Sequence, residues 1–550
     1  MTATQPEETG LSTLEEDRDT APHGLPAVRR PPAARAWPAG MWRAGKRATR
    51  RWAGGLIEMA GRHRLFTAAL GLAVVPRVIV MAGFAPAALF KLDTYDYLWD
   101  ATHLIPNPVN PSGYAVFLWL LWPFHSLVLV AGLQHLMGLG IAVMMYAVLR
   151  RRGVASWLSV LATTPVLFDP AQFLLEQLIM ADLLAMFLMV AALAVLLMRE
   201  SPTIWRSMTA ALLMGASAVV RPTTLPLILL IVIYLLVQRS GWRAAGAALA
   251  AGLLPVAGYV AWFAAATGSV GLTNSDGLFL WSRTMSFANC ATIKPPPDLL
   301  ALCPGRQRVG MLDPHVPSVR LQPKRYLWSH DAWLWQPPAK GIVPDTAGFT
   351  AANNARAMDF AIRAIEAQPL AYARVVGTEV FQAFTTSDQF HFPGTQPVAV
   401  DLTPANRSYM LAAVRGYLGS TAGIGPYLGV RFGSRLVEPW AGLVSRYQDH
   451  IHLPGPVFGL LILLGLGGIL YRRTRTAAGV LLWVSSAVVI ISPVAEHEYT
   501  YRYIIPAVPL ACLAAALTAR SRGRDAAADA GQGDPAGRPA VAGASGATVG

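Results

Sequence analysis

Residues 126–152 read SLVLVAGLQHLMGLGIAVMMYAVLRRR. From Ser126 to Leu149 the run holds no carboxylate, lysine or arginine, and Arg150, Arg151 and Arg152 close it. An α-helix needs about 20 apolar residues to cross a hydrocarbon core roughly 30 Å thick. The run is therefore long enough to span a bilayer. The arginine triplet marks its cytoplasmic end, because loops that remain inside are enriched in Lys and Arg.

Working outward, nine more windows of the same kind appear. Leu65–Phe90 precedes the quoted run, after a basic flank that includes Arg43, Lys46, Arg62 and Arg64. Behind it come a hairpin of Ala155–Asp169 and Leu178–Met198, a second of Ser207–Val220 and Thr223–Val237 turning at Arg221-Pro222, and a seventh span, Ala244–Thr267. Pro454–Tyr471, Ala477–Pro493 and Tyr503–Ala519 close the series. The sequence thus predicts an all-α polytopic membrane protein of about ten transmembrane helices. An external mixed domain is expected between the seventh and eighth spans.

Composition agrees. Of 550 residues 54% are hydrophobic and 14% charged, against about a quarter charged in soluble domains. The net charge of +14 does not point to nucleic acid, because the basic residues sit at the edges of apolar windows. With the amino terminus inside, the arginine-rich segments 150–152, 199–206, 239–243, 472–475 and 520–524 all become cytoplasmic. A polar, Pro- and Arg-rich stretch precedes the first apolar run, so no secretory signal is expected there and the first span reads as an anchor.

The resulting organisation is a disordered basic cytoplasmic region, 1–64; a seven-span membrane module, 65–267, with an external acidic loop at 91–123; an extracytoplasmic domain, 268–453; three further spans, 454–519; and a disordered cytoplasmic tail, 520–550. The chain then lies in the cell membrane with the large domain outside. Within 91–123, Tyr114–Trp122 is apolar but too short to cross and reads as a re-entrant or interfacial helix. The 268–453 domain is expected to hold an amphipathic helix at about Ala351–Phe384 and a surface-lying one at Leu436–Ile451. Its Cys290 and Cys303 lie where a disulfide can persist; two free buried thiols are the alternative.

The first external segment opens Lys91-Leu-Asp93-Thr-Tyr95-Asp96-Tyr97-Leu-Trp-Asp100. Acids at this boundary can serve as a general base or bind a divalent cation, Mg or Mn. The alternative is a solvated loop with interfacial tyrosines. Asp169, Glu176 and Asp182 form a second acidic set. Asp182 begins a span, where an ionisable residue is either functional or a helix cap. Arg77, Arg221 and Arg502 run against the positive-inside trend. Their planar forks suit a phosphate, unless they snorkel to lipid headgroups. The chain shows no phosphate-binding glycine loop, no dinucleotide fingerprint and no Cys- or His-based metal motif, so no metal-ligand set is assigned. The glycines at 465–468 read as helix-packing residues.

A first span, an external acidic motif, a long external insertion and a closing Arg502-Tyr503 before the last span together resemble the GT-C superfamily. Within it, the similarity is to the dolichyl-phosphate-mannose–protein mannosyltransferase type and the related lipid A aminoarabinose transferases. In that family an Asp opens an acidic motif with a Tyr four residues on, as Asp93 and Tyr97 do here. Many members have Glu directly after that Asp; this chain has Thr94, with Asp96 the next acid, so the base stays open between Asp93 and Asp96. Asp182-Leu-Leu-Ala-Met-Phe187 matches a second recurring acidic motif. The strings Trp281-Ser-Arg-Thr-Met-Ser-Phe-Ala-Asn-Cys290 and Leu302-Cys-Pro304 resemble external domains of actinobacterial-type members.

The resemblance implies a transferase that takes a sugar from a polyprenyl-phosphate carrier at the outer membrane face and passes it to a glycan, lipid or protein acceptor. Asp93, Asp96 and Asp182 would be its catalytic acids. Tyr97, Glu176, Arg221, Arg502 and Tyr503 would bind substrate. A secondary transporter or lipid flippase is the competing class; it would be expected to show internal repeats, broken helices near the midplane and short loops, whereas no repeat is visible and the external domain is too large to be a connector. The topology is testable with reporter fusions. Fusions at Gly153 and Ala526 are expected to report from the cytoplasm and one at Gly310 from outside, and an external signal at Gly153 would reverse the orientation.

Overall fold

The computed structural model describes residues 61–304, 326–327, 348–385, 427 and 435–520. The expectations for residues 1–60 and 521–550, and for much of the 268–453 segment, lie outside the described residues.

The amino-terminal half is a succession of apolar helices. They are α1 (Arg64–Gly83), α2 (Lys91–His103), α3 (Gly113–Leu121), α4 (Leu127–Arg151), α5 (Ser156–Phe168), α6 (Pro170–Gln177), α7 (Ala181–Leu197), α8 (Ile204–Val220), α9 (Pro226–Val237) and α10 (Trp242–Thr267). The carboxy-terminal part adds α11 (Asp276–Thr284), α12 (Cys290–Ile293), α13 (Ala351–Ala367), α14 (Pro369–Thr385), α15 (Trp440–His450), α16 (Gly455–Leu470), α17 (Ala477–Glu496), α18 (Tyr501–Ile504) and α19 (Val508–Leu517). Among the described residues the sheet is two-stranded. β1 (Phe84–Ala85) pairs antiparallel with β2 (Arg435–Leu436).

Four helices, α1, α4, α10 and α17, are individually long and apolar enough to cross a membrane. Two bent pairs, α5 with α6 (52°) and α15 with α16 (56°), raise the number to six. The remaining expected spans correspond to shorter apolar helices, so length and composition do not establish ten crossings. The outward faces suit lipid. α1 has a mean hydropathy of 2.1 over a window only 22% buried, and Leu65, Leu72, Val75 and Val78 stand exposed on it. A soluble protein rarely leaves so continuous an apolar face uncovered.

Small residues set the closest helix contacts. At Gly215 of α8 an added Cβ would overlap the Gly252 carbonyl of α10, and at Gly468 of α16 it would overlap the Thr518 side chain. Such sites let backbones approach where lipid offers no hydrophobic gain for association. The reading of the 465–468 glycines as packing residues fits this for Gly465 and Gly468, whereas Gly467 faces open space.

Several expected elements differ. The first helix stops at Gly83 instead of running to Phe90, because Phe84 and Ala85 leave the helix to pair with Leu436 and Arg435. The acidic loop at 91–123 is largely helical, as α2 and α3. The turn expected between Asp169 and Glu176 is helix α6. Asp169 caps it by accepting from Ala171 N at 2.8 Å, and Pro170 takes the first-turn position where no N–H is needed. The single helix expected at 351–384 is two, broken at Gln368-Pro369 where proline cannot continue the ladder.

Within the expected external domain the regular elements among the described residues are helical apart from β2. α11 packs on α13 through Leu278, Trp281, Ala357, Phe360, Ala361 and Ala364. Cys290 and Cys303 form a disulfide beside this core. Arg283 pairs with Glu379 of α14 at 2.6 Å, and the second Glu379 oxygen accepts from Tyr499 N at 2.8 Å. These contacts tie the segment to the end of α17.

The interior of the bundle contains one set of charges far from any mouth. Arg77 of α1 pairs with Glu176 at 2.8 Å and donates to the Val166 and Leu167 carbonyls at the end of α5. His135 Nδ1 lies 2.7 Å from the other Glu176 oxygen, and Gln172 donates to the carboxylate at 3.0 Å. Glu176 is fully buried, and Gly138 of α4 makes room for it, since a Cβ there would overlap the carboxylate. Gly138→Ala is therefore expected to lower the thermal unfolding midpoint in detergent, by about 1–3 kcal/mol of stability. Gly132→Ala, on the same helix, meets only the Met81 methyl at an ordinary 3.5 Å. It should be neutral or slightly stabilising, and equal effects at the two positions would show that the carboxylate site tolerates a methyl group.

Candidate functional site

α1, α8 and α17 all run away from the arginine-rich end of the bundle. Beyond their far ends lie α2, the extended residue Arg221, and α18. Two backbone hydrogen bonds and the Thr94 side chain fasten the approach to α2 to the segment that leads into α7. After α6 the chain is extended at Leu178, and Ala88 pairs with it in a short parallel bridge. Ala88 N donates to the Gln177 carbonyl at 3.0 Å and Ile179 N to the Ala88 carbonyl at 3.0 Å. Thr94 of α2 accepts from Phe90 N at 2.7 Å and donates to the Ile179 carbonyl at 3.0 Å. Thr94 thus fastens the start of α2 to the segment leading into α7. Asp93 and Asp182 are held by these two fastened elements.

Four charged side chains converge there. Arg221 Nη1 lies 2.6 Å from Asp182 Oδ1. Arg502 stands between two carboxylates, 3.6 Å from Asp93 Oδ2 and 3.9 Å from Asp182 Oδ2. Its guanidinium covers the Phe90 ring at 4.4 Å and donates to the Tyr503 hydroxyl at 3.2 Å. Tyr503 is flanked by both arginines, at 4.9 Å from Arg221 and 5.0 Å from Arg502. Asp182 is buried, whereas the Asp93 side chain is 31% exposed. Asp93 is thus the carboxylate of this group that an incoming molecule can meet.

The array is charge-balanced but loosely bonded. Arg502 Nε and both Asp182 carboxylate oxygens are buried without a hydrogen bond of good geometry among the described residues. Buried polar groups are ordinarily satisfied, so this unused capacity is what a ligand would fill. The same arrangement offers little to a divalent cation. Among the described residues no three His, Cys, Asp or Glu side chains converge, and the two acids that come closest face arginines. The donor set does not fit the Mg or Mn alternative.

Burial pushes the Asp93 carboxyl above its ordinary range, with Arg502 opposing and Asp182 reinforcing the rise. Asp96, one turn on, is pushed well up by burial and by the Asp93 charge. It makes no ion pair among the described residues. Tyr97 is buried and packs edge-on against Tyr114 at 5.0 Å; burial and the neighbouring Asp93 raise its hydroxyl. Asp93, Asp182, Arg221, Arg502 and Tyr503 are therefore assembled, and Tyr97 and Asp96 lie beside them on α2. Glu176 is not among them, because Arg77 and His135 hold it inside the bundle. Phe90, Thr94 and His135 were not singled out from sequence. The signal for His135 was present, since Gln134 and His135 interrupt an otherwise apolar span.

Beside the charges is a small cavity of about 20 Å³, lined by Asp182, Arg221 and Tyr503 and by the apolar side chains of Met186, Met189 and Val489.

No family model matches the chain, and no curated protein matches it. Among solved structures it is similar to the apo form of the Archaeoglobus fulgidus oligosaccharyltransferase, at 12% identity and a TM-score of 0.33 over 82% of this chain. The chain spans half the length of that protein. It is also similar to ArnT from Cupriavidus metallidurans bound to undecaprenyl phosphate, at 14% identity and a TM-score of 0.32, covering 85% of this chain and 79% of that one. The apo state of the same ArnT aligns at 13% identity with a TM-score of 0.32 and the same coverage. A likeness this distant carries nothing about activity.

Removal of Arg221 would leave the buried Asp182 with only the longer Arg502 contact, at a cost of up to about 3–5 kcal/mol. Arg221→Ala should therefore lower the unfolding midpoint, and adding Asp182→Asn to it should restore part of the loss. Additive losses in the double variant would show that the two side chains do not act as a pair.

Proposed function

We propose that this chain is a membrane glycosyltransferase of GT-C type that moves a sugar from a polyprenyl-phosphate carrier to an acceptor hydroxyl at the membrane surface. The observation that carries the reading is the juxtaposition of the partly exposed Asp93 with Arg502, beside the Arg221–Asp182 pair, at the ends of apolar helices. A lipid-linked donor has matching parts. Its prenyl chain is apolar, its phosphate is anionic, and its sugar must project toward water to meet the acceptor.

The chemistry follows from the charges. The acceptor hydroxyl gives its proton to Asp93 as its oxygen forms a bond to the anomeric carbon. The bond between that carbon and the phosphate oxygen breaks, and the leaving phosphate keeps the electron pair. The phosphate gains one negative charge in this step. Arg502 and Arg221 are placed to stabilise that charge in a site from which water is largely excluded. Asp182 has a positioning role, holding both guanidinium groups from beneath. A carboxyl raised by burial is a stronger base than one in water, which suits proton abstraction from an alcohol. Asp96, which faces no arginine, is the weaker assignment for the base.

The test is transfer of radiolabelled sugar from a polyprenyl phosphate in membranes containing the protein. Asp93→Asn should lower transfer by about 10²–10⁴ with donor binding retained, and Asp96→Asn should lower it less. In the wild type the rate should rise with pH as Asp93 ionises, through an inflection above the ordinary Asp value of about 3.9. Arg502→Gln removes the cation that holds the Asp93 value down, so its inflection should move to higher pH. Wild-type transfer by Asp93→Asn would refute the base assignment. Donor binding by the wild type without any transfer would favour the transporter or flippase class.

A further inference from the structure

At the end of the bundle opposite Asp93, a concavity of about 350 Å³ opens between the α16–α17 connection and the end of α19. Arg473, Arg475 and Arg520 line it, together with Thr474, Thr476 and Thr518. We propose that this concavity binds the phosphate of an anionic lipid headgroup from the adjoining leaflet.

The fold builds the concavity. Gly468 lets α16 approach Thr518 so closely that a Cβ would not fit, which sets the connection beside Arg520. Arg475 Nε donates to the Ile469 carbonyl at 2.7 Å, and Thr474 Oγ1 donates to the Gly468 carbonyl at 3.0 Å. These bonds satisfy carbonyls that the end of α16 would otherwise leave open. They also fix Arg475 by one nitrogen, so its terminal nitrogens have no partner among the described residues. Arg473 has none there either. Arg520 is paired with Glu200 at 3.0 Å. Two arginine forks and the Thr476 hydroxyl, which accepts from Gly479 N and keeps its own proton to donate, form a donor set for phosphate oxygens around one hollow.

The surroundings choose the source of that phosphate. Trp157, Trp205, Trp242 and Tyr471 are all exposed at this same end, at the starts of α5, α8 and α10 and at the end of α16. A ring of exposed aromatic residues marks the headgroup level of a bilayer. Basic pockets between helices at that level take anionic headgroups. The concavity is thus at the depth where a lipid phosphate resides.

Lipid retention by the full-length protein, released from nanodiscs of mixed phosphatidylcholine and phosphatidylglycerol and read by native mass spectrometry, tests the inference. The wild type should retain phosphatidylglycerol selectively. Arg473→Gln alone, at a side chain without a hydrogen bond or ion pair among the described residues, should weaken retention, and Arg473→Gln with Arg475→Gln should weaken it about tenfold or more. The corresponding double Lys variant should keep most of the selectivity, and Arg243→Gln, at the same end but outside the concavity, should keep all of it. Equal retention of both lipids by the wild type, or unchanged selectivity in the double Gln variant, would overturn the proposal. So would displacement of the lipid by millimolar inorganic phosphate, which would assign the hollow to a soluble anion.

Discussion

A charge inside an apolar bundle must be answered by another charge, because no water is present to solvate it. In this chain the rule is obeyed at Arg77, Glu176 and His135, and much of the functional end depends on how it is obeyed. Glu176 is the last residue but one of α6, and the chain leaves α6 directly into the extended segment before Asp182. Gln134, the neighbour of His135, donates to the carbonyls of Glu176 and Leu178. Gln177 reaches the Phe84 carbonyl at the end of α1. The ionic network thus clamps a short non-helical stretch whose backbone groups would otherwise be open in an apolar interior. A buried ion pair adds little net stability once desolvation is counted. Its contribution here is geometrical, as it fixes where α7 begins.

The functional end uses the same rule differently. Asp93, Asp182, Arg221 and Arg502 also balance, but at 3.6 and 3.9 Å two of their contacts are too long for direct hydrogen bonds. The interior network is tight and the outer one is slack. Slack pairing in an aromatic-walled site leaves guanidinium donors oriented but not fully used, and preorganised donors of this kind are effective at stabilising negative charge. The two rings that flank Arg502, Phe90 and Tyr503, restrict the guanidinium without consuming its hydrogen bonds.

The far end of the bundle shows what the arginines do when water is near. There the guanidinium groups cap helix ends and line an open hollow, and a belt of exposed tryptophans surrounds them. Two arginine-bearing regions therefore serve one molecule in opposite ways. At one end arginine is buried and paired with acids of its own chain. At the other it is exposed and largely without acids.

Much of this was legible in the residues. Apolar windows marked the apolar helices, because a bilayer imposes length and charge limits that act locally along the chain. The spacing of Asp93, Tyr97 and Asp182, and the contrary arginines Arg221 and Arg502, marked five of the residues that come together. The sequence by itself determined which segments are apolar and which charges needed an explanation. Tertiary structure alone decided the answers: that Glu176 belongs to Arg77 and His135, that Thr94 is a fastening residue, that α1 ends at Gly83 and that α5 and α6 are separate. Each of these depends on a partner some 40 to 350 residues away in the chain. Periodicity and hydropathy are properties of neighbours, whereas pairing a buried charge or closing an open carbonyl depends on which distant segment the fold brings near.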